Sequence, residues 1–355
     1  MRAFALLGLL AVAALAGCVQ SQTGTTTGSS TPEPADYHSP MQPKVDTAAL
    51  LADLKSFAAA YPVRKDNAPT HEGSRAWISS TFASYGLDVY RQNFTASNTQ
   101  QANIIGVKWG VVRDQVVAVG GHYDTTTNAG QDQSQGAYDD GSGTMMTVHL
   151  AKAWANVTPY YTIAFITYDG EEKGTQGAQE FVRSVTEGDN PLGNITLHGA
   201  LDIDMFGITW PGTNAPTQIL DNSDALHKVF DDTRKSIGMP DSMAYCSDIA
   251  TLGSSDFAEY FKAKVPTVFF SSDFGKVAPP MSPAPLPFFA YPFWHQVDTY
   301  DTMQAMAGGA PQLLQGFTTA TTLAAAELHA LADTPTLTLD VHAAPSSAPN
   351  PTGAC

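Results

Sequence analysis

The chain has 355 residues, of which 43% are hydrophobic, so it can bury a large core and global disorder is excluded. Acidic residues number 34 and basic residues 18, and the resulting net charge of −16 argues against binding to nucleic-acid phosphates. Three cysteines are too few for a disulfide scaffold or for a zinc module built from Cys-x-x-Cys pairs.

The N-terminus has the pattern of an export signal. Arg2 precedes an apolar run from Ala3 to Ala16, which is too short to span a membrane comfortably. The run leads into Leu-Ala-Gly-Cys, which resembles the lipobox of prokaryotic lipoproteins and implies that residues 1–17 are removed and Cys18 is lipidated. The alternative is an ordinary signal peptide with a cysteine nearby by chance. We therefore expect an exported cell-surface or periplasmic lipoprotein that contacts the membrane only through its lipid anchor.

Low-complexity sequence flanks the expected folded domain. Residues 18–44 are rich in Ser, Thr, Gly and Pro and predict a flexible tether after the lipidated cysteine. A similar stretch over residues 342–355 predicts a disordered tail, so the folded domain is expected to span residues 45–341. Cys246 and Cys355 either form a disulfide that pins the tail to the domain or remain two free thiols.

Two helices and three strands are predicted at the start of the domain. Asp46 is placed to cap a helix over residues 48–61, and a second helix is predicted from Gly73 to Tyr85 before Gly86. Three β-like runs follow, over residues 88–94, 103–109 and 115–121.

Strand and helix patterns then alternate. Met146, Leu150 and Trp154 recur at helical spacing. The further predicted strands are residues 161–168, 200–205 and 265–270, and the further helices are residues 176–185, 227–238 and a last helix from Pro311 onward. This alternation predicts a single α/β domain with a mixed, mainly parallel central sheet between helices.

Polar clusters follow the predicted strands. They contain His122, Asp124, Asp139, Asp140, Glu171, Glu172, Asp204 and His295. The carboxyl ends of parallel strands meet at one edge of a sheet, where ligands bind, so we expect these side chains to converge. Each cluster alone has a simpler interpretation; Asp140 with Ser142, for example, could merely cap a helix. Carboxylates that converge repel one another, and a bound dication would offset this repulsion. Imidazole and carboxylate ligands without cysteine suit a hydrolytic zinc site.

The motifs GGHYDT, GAYDDGSGT, DGEEKGTQGA and LDIDMFG and the Ser255-Asp256 segment resemble, in order and spacing, the co-catalytic zinc aminopeptidase family. Its superfamily also contains glutaminyl cyclases and transferrin-receptor-like proteins. The resemblance implies two zinc ions, bound by His122, Asp139, Glu172, Asp204 and His295, with Asp139 bridging the two ions. It also implies that Glu171 is the general base and that Asp124 orients the His122 ring.

The same resemblance implies an aminopeptidase that hydrolyses the N-terminal residue of peptides with a metal-activated water. A peptide is the expected partner and a monomer the expected state. The first alternative is a glutaminyl cyclase with one zinc ion, although Asp139 followed by Asp-Gly-Ser-Gly is the peptidase form. The others are a carboxypeptidase-like enzyme and a non-catalytic adhesion or receptor module. Asp298 follows His295 after three residues where the family usually has four, and Tyr245 is a candidate oxyanion tyrosine.

Overall fold

A seven-stranded mixed sheet runs through the described part of this computed structural model, which comprises residues 37–126, 135–209, 217–239, 255–272 and 298–342. The strands are β1 Asp88–Ala96, β2 Thr99–Lys108, β3 Val112–His122, β4 Tyr161–Tyr168, β5 Thr196–Ile203, β6 Gln218–Asp221 and β7 Thr267–Ser271. Their order across the sheet is β1-β2-β4-β3-β5-β7-β6. All these residues belong to one compact unit.

Four neighbouring strands, β4, β3, β5 and β7, are parallel. The outer pairs β1–β2, β2–β4 and β6–β7 are antiparallel. The carboxyl ends of the four parallel strands therefore meet at one edge of the sheet. The predicted fold, a single α/β domain with a mixed and mainly parallel sheet, is confirmed.

Helices cover both faces of the sheet. They are α1 Thr47–Ala60, α2 Pro69–Ser84, α3 Gly141–Trp154, α4 Gln176–Glu187, α5 Asp224–Ser236, α6 Phe257–Lys262, α7 Tyr300–Met306 and α8 Ala310–Asp333. Strand β3 shows the alternation that two buried faces require. Val117 and Val119 belong to one apolar cluster, together with residues of α1, α2, α3 and α8. Val116 and Ala118 belong to a second cluster, together with residues of α4.

The predicted helices and strands are present, with shifted ends. Asp46 caps α1 by accepting a hydrogen bond from the amide of Ala49 at 3.0 Å, as predicted. Helix α2 begins four residues earlier than predicted, at Pro69, because proline fits the first turn of a helix. Strand β5 ends at Ile203, so Asp204 lies just beyond the strand. The short elements β6, α6 and α7 were not predicted.

Within the described residues, no helix is long and apolar enough to cross a membrane. Residues 1–36 and 343–355 lie outside the described residues. The predicted export signal, the tail from residue 343 and the tether up to residue 36 therefore stay predictions. The prediction that the tether extends to residue 44 is wrong, because Tyr37 packs against the ring of Tyr160 and Ser39 donates to the carbonyl of Asp333 at 2.6 Å.

Two glycines let α3 approach the ends of β3 and β5. A Cβ atom on Gly121 would lie 2.7 Å from Asp140 Oδ2 and 2.9 Å from the carbonyl carbon of Gly143, both at the start of α3. A Cβ atom on Gly143 would overlap the carbonyl oxygen of Ile203 and the Asp140 carboxylate. The first turn of α3 is consequently held directly against the strand ends that carry His122 and Asp204.

Candidate metal centre

Residues at the ends of β3 and β5 and at the start of α3 form a buried cluster. His122 is the last residue of β3, Asp204 follows β5, and Asp140 precedes α3. Ligand atoms of these three residues lie within 4.8 Å of one another, a separation that one metal ion could bridge. The cluster lies at the carboxyl edge of the parallel strands, where the sequence predicts it.

The imidazole of His122 lies at the centre of the cluster. Its Nε2 atom lies 3.2 Å from Asp139 Oδ1, 3.7 Å from Asp204 Oδ1 and 3.8 Å from Glu171 Oε2. Four of the predicted site residues therefore converge within the described part of the chain.

Asp124 connects the His122 ring to the turn that carries the glutamates. His122 Nδ1 lies 3.2 Å from the carbonyl oxygen of Asp124 and 3.4 Å from its Oδ1. The Asp124 carboxylate accepts the amide of Glu171 at 3.1 Å and that of Glu172 at 3.3 Å. Its position fits the orienting role that the sequence resemblance implies.

The two glutamates do not have the same surroundings. Both lie on a 3-10 turn, Glu171–Lys173, that follows β4. The Glu171 carboxylate faces His122, whereas Glu172 Oε1 accepts the amide of Thr126 at 2.9 Å. The carboxylate of Glu172 therefore reaches toward the loop after Asp124. Adjacent residues with different orientations can take different roles.

Asp140 caps α3, which is the simpler role considered for it from sequence, and its carboxylate also lies in the cluster. Its Oδ1 atom caps α3 by accepting the amide of Gly143 at 2.7 Å, and it also accepts the amide of Met205 at 3.2 Å. Its Oδ2 atom is buried without a hydrogen-bond partner among the described residues. The cap thus holds a carboxylate oxygen in the cluster.

Asp202 and Asp256 extend the cluster. No role was assigned to either residue from sequence, although Asp256 belongs to the Ser255-Asp256 segment that carries part of the resemblance. Asp202 accepts the amide of Phe257 at 2.7 Å, and Ser255 donates its hydroxyl to Asp204 Oδ2 at 2.9 Å. Asp202 precedes Asp204 by two residues, and residues at this spacing in a strand lie on the same face of the sheet. This spacing could have identified Asp202 from the sequence.

The crowding of buried acids raises their pKa values. Burial, followed by the charges of neighbouring carboxylates, raises the pKa of Asp140, Glu171 and Asp256 well above their usual range and that of Asp202 to about 8. Burial alone would lower the pKa of His122, but Glu171 and other nearby carboxylates raise it well above 6.5. A bound dication would reverse these shifts by stabilising the charged carboxylates and the neutral ring.

Buried polar atoms without partners show that a cation fits the cluster. Among the described residues, the buried atoms without a hydrogen-bond partner include His122 Nε2, Asp140 Oδ2, Asp202 Oδ1, Asp204 Oδ1 and both carboxylate oxygens of Asp256. Buried polar atoms usually have partners, so a group of such atoms in one place needs an explanation. The donor set of one imidazole and several carboxylates matches the ligands of hydrolytic zinc sites.

Arg64 and Asp298 hold the loop that carries Asp139. Arg64 is fully buried and donates to the carbonyls of Gln135 at 2.6 Å and Gly136 at 2.8 Å. The Asp298 carboxylate accepts the amides of Tyr138 at 2.9 Å and Asp139 at 2.8 Å. Burial lowers the pKa of Arg64 to about 10, so the guanidinium still carries its charge at neutral pH. Neither residue was assigned this role from sequence, because each bonds to backbone atoms distant in the chain.

Asp169, which opens the Asp-Gly-Glu-Glu motif, is held by two side chains of helix α2 and by a backbone amide of strand β2. Its carboxylate lies 2.9 Å from His71 Nε2, forms an ion pair with Arg75 and accepts the amide of Ala102 at 2.9 Å. It thereby fixes the start of the turn that carries Glu171.

Several predicted residues lie outside the described residues. These are His295, Tyr245 and the cysteines Cys18, Cys246 and Cys355. Their predicted roles stay predictions.

Comparison with known families gives a match over most of the sheet and the site. The family model described as Peptidase family M28 matches residues 103–317. A probable zinc metalloprotease of Pyrenophora tritici-repentis is 32% identical over 97 residues, which are 26% of this chain and 21% of that protein. The match thus spans about a fifth of the length of this curated relative.

Solved structures share the fold. A zinc aminopeptidase from Bacillus subtilis superposes with a TM-score of 0.66 at 15% identity, over 85% of this chain and 99% of that one. A glutaminyl cyclase from Bacteroides thetaiotaomicron superposes with a TM-score of 0.57 at 17% identity, over 81% of this chain and 98% of that one. At these identities the likeness concerns the fold.

Proposed function

The chain belongs to peptidase family M28, and from this premise we propose that it is a zinc aminopeptidase that removes the N-terminal residue of peptides. One observation carries the proposal: a buried imidazole and several buried carboxylates present unpartnered atoms at one sheet edge, beside the carboxylate of Glu171. Such a donor set suits a hydrolytic metal site, and the nearby glutamate suits a base.

Two zinc ions are proposed, held by His122, Asp139, Glu172, Asp204 and His295. When bound, zinc would lower the pKa of a water molecule to about 7 and polarise the scissile carbonyl. Glu171 would accept the proton of the attacking water and pass it to the departing amine. Asp124 would keep Glu171 in place, because its carboxylate accepts the backbone amides of the turn.

The motifs that resemble zinc aminopeptidases support an aminopeptidase rather than a carboxypeptidase. Blocking either end of one peptide in turn tests this choice, because an aminopeptidase requires a free N-terminus.

The test uses the full chain loaded with zinc. We expect hydrolysis of aminoacyl-coumarin substrates, no hydrolysis of the same substrates with an acetylated amine, and loss of activity on chelation. Hydrolysis of the blocked substrates would contradict the aminopeptidase assignment. Cyclisation of an N-terminal glutamine peptide, with one zinc ion per chain and no hydrolysis, would favour the glutaminyl cyclase alternative.

Export and anchoring belong to the same proposal. The apolar run before Cys18 and the tether after it support an exported lipoprotein whose catalytic domain lies outside the membrane. A peptidase in this position would act on peptides outside the cytoplasm.

A further inference from the structure

The guanidinium of Arg75 on α2 joins two of the segments that carry the candidate site. Its Nε atom donates to the hydroxyl of Tyr123 at 2.6 Å, and its Nη2 atom forms an ion pair with the carboxylate of Asp169. Tyr123 directly follows His122, and Asp169 precedes Glu171 by two residues. One side chain of α2 therefore binds the chain beside a proposed metal ligand and the chain before the proposed base.

The two partners of Arg75 are also connected through β2. The Tyr123 hydroxyl donates to the carbonyl of Ala102 at 2.8 Å, and the Asp169 carboxylate accepts the amide of the same residue at 2.9 Å. These four residues form a closed ring of polar contacts, the Arg75 ring. All four are buried, so water does not compete with these contacts as it would at the surface.

The Arg75 ring fixes the chain immediately before Glu171. Only Gly170 separates Asp169 from Glu171, and its φ of +72° places it in the left-handed region that favours glycine. A Cβ atom on Gly170 would overlap the side-chain oxygen of Gln101, so the turn packs tightly against β2. Because this connection is one residue long, a displacement of Asp169 would be passed on to the Glu171 carboxylate.

The second bond of Arg75 acts on the other side of the site. Tyr123 lies between His122 and Asp124. The Asp124 carboxylate accepts the amide of Glu171 at 3.1 Å. The separation of 3.8 Å between Glu171 Oε2 and His122 Nε2 therefore depends on how the ends of β3 and β4 are placed relative to each other. Arg75 bridges these two ends.

We propose that Arg75 is a positioning residue for Glu171. By binding the ends of β3 and β4 at once, it holds the Glu171 carboxylate at a fixed distance from His122, where it can accept the proton of the attacking water. The inference rests on the proposed function, in which Glu171 is the base. Arg75 lies outside residues 103–317, which the family model matches, so the family match assigns it no role.

Two substitutions open the Arg75 ring without leaving a buried charge unpaired. Tyr123→Phe removes the hydroxyl and keeps the aromatic ring, whereas Arg75→Lys keeps a positive charge but loses the planar fork that holds two partners. In the full chain loaded with zinc, we expect each variant to lower kcat for an aminoacyl-coumarin by about 5- to 50-fold, because a misplacement of about 1 Å can cost about 100-fold. KM and zinc content should stay near those of the wild type.

Repeating both substitutions in a Glu171→Gln chain separates positioning from a general structural role. Once the base is removed, the ring has no base to position, so kcat of the Glu171→Gln chain should hardly change. A purely structural effect would lower kcat by the same factor in both chains. The double variant Tyr123→Phe, Arg75→Lys should be no slower than the slower single variant, since each change already breaks the bond between these two side chains.

Hydrogen exchange in the zinc-free protein tests the turn without reference to activity. The amides of Glu171 and Glu172 donate to the Asp124 carboxylate, and local opening of the turn would expose them to solvent. We expect these two amides to exchange faster in Tyr123→Phe and in Arg75→Lys than in the wild type.

Arg91→Met is the matched control. Arg91 lies on β1 and pairs with Glu72, the same carboxylate that binds Arg75 at 3.1 Å. Its substitution takes one guanidinium from that carboxylate but leaves the Arg75 ring intact. Both kcat and the exchange of the turn should therefore match those of the wild type.

The inference is overturned if both ring variants turn over at the wild-type rate, if their loss of kcat is the same in the Glu171→Gln chain, or if it follows a loss of zinc. It is also overturned if Arg91→Met shows the same loss. A zinc-loaded wild type that cleaves no substrate would refute the proposed function. Exchange would then decide the inference: wild-type rates in both ring variants would overturn the placement of the turn by Arg75, and faster rates would support it.

Discussion

Arg64 and Asp298 bind opposite sides of one loop: the guanidinium of Arg64 binds the carbonyls of Gln135 and Gly136, and the carboxylate of Asp298 binds the amides of Tyr138 and Asp139. Arg64 also donates to the carbonyl of Tyr61 at 3.1 Å, which ties the loop to the end of α1. The position of Asp139 therefore depends on two buried charges distant from it in the chain.

Replacing Arg64 by methionine should weaken both folding and metal binding. Several carbonyls would lose their donor, and about 3–5 kcal/mol of the free energy of unfolding should be lost, as when a buried charge partner is removed. Urea unfolding and zinc titration measure the two effects. Arg234→Met is the matched control, because Arg234 is also buried but bonds to Asp231 and the carbonyl of Met239. Equal zinc affinity in the two variants would contradict the role of Arg64.

Substitution of each of the two adjacent glutamates should affect a different property, turnover in one case and zinc binding in the other. Glu171→Gln keeps the shape of the side chain but removes the proton acceptor, so turnover should fall by about 10²- to 10⁴-fold with zinc content near that of the wild type. Glu172→Gln should weaken zinc binding, and added zinc should partly restore its activity. Metal analysis together with steady-state kinetics decides this. Loss of zinc from Glu171→Gln, or its near-normal turnover, would show that the roles are assigned wrongly.

Asp139 should matter more for metal content than His122. If Asp139 bridges two zinc ions, Asp139→Ala should lose both ions, whereas His122→Ala should retain one more readily. Zinc per chain is measured after dialysis. Chelation of the wild type should also lower its melting temperature, because an ion that binds only the folded chain stabilises it. An active wild-type protein that takes up only one zinc ion would refute the bridge.

Glu327 should reduce stability as the pH rises. It lies fully buried on α8, and neither carboxylate oxygen has a hydrogen-bond partner among the described residues. Burial, together with the charge of Asp221, raises the pKa of Glu327 well above its usual range. The folded chain thus keeps a proton that the unfolded chain releases near pH 4.3, so stability falls as the pH rises from there toward the folded pKa.

Glu327→Met should remove this loss. We expect a gain of about 1–3 kcal/mol in the free energy of unfolding at pH 8 and a smaller gain at pH 4.5. Unfolding in urea at both pH values measures the difference, and Glu187→Gln at an exposed position of α4 serves as the control. A gain that is the same at both pH values would rule out the titration of Glu327 as its cause.

Cys18→Ser should release the protein from the membrane fraction of its host. Stable anchoring requires more than one lipid chain, and lipidation of Cys18 would supply them. Fractionation with mass spectrometry of the N-terminus tests this. A wild-type protein that is fully soluble and carries no lipid would contradict the anchor.

The regular elements could be predicted because their patterns are local. The apolar run at residues 161–168 coincides with β4, and the cap at Asp46 begins α1 as expected. The short helices α6 and α7 have too few residues for a readable period, and they take their positions from packing against the rest of the domain.

The candidate site was predicted to the extent that its residues follow strands. His122 and Asp204 were found because each follows an apolar run at the carboxyl edge. Arg64 could not be found in this way, since its partners are backbone carbonyls that the tertiary fold brings to it. Asp256 lies before a helix of only a few residues, which gave no signal that its carboxylate would be buried.

Because glycine has no side chain, Gly121 and Gly143 constrain which substitutions this site can tolerate during evolution. A methyl group at Gly143 requires α3 to move away from the end of β5, and one at Gly121 requires the ends of β3 and β5 to separate as well. Alanine at Gly143 would push the start of α3, which carries Asp139 and Asp140, away from Ile203 without changing any proposed ligand. In a deep mutational scan these two positions should therefore be as intolerant as the ligands themselves, and inherited substitutions should accumulate elsewhere in the chain.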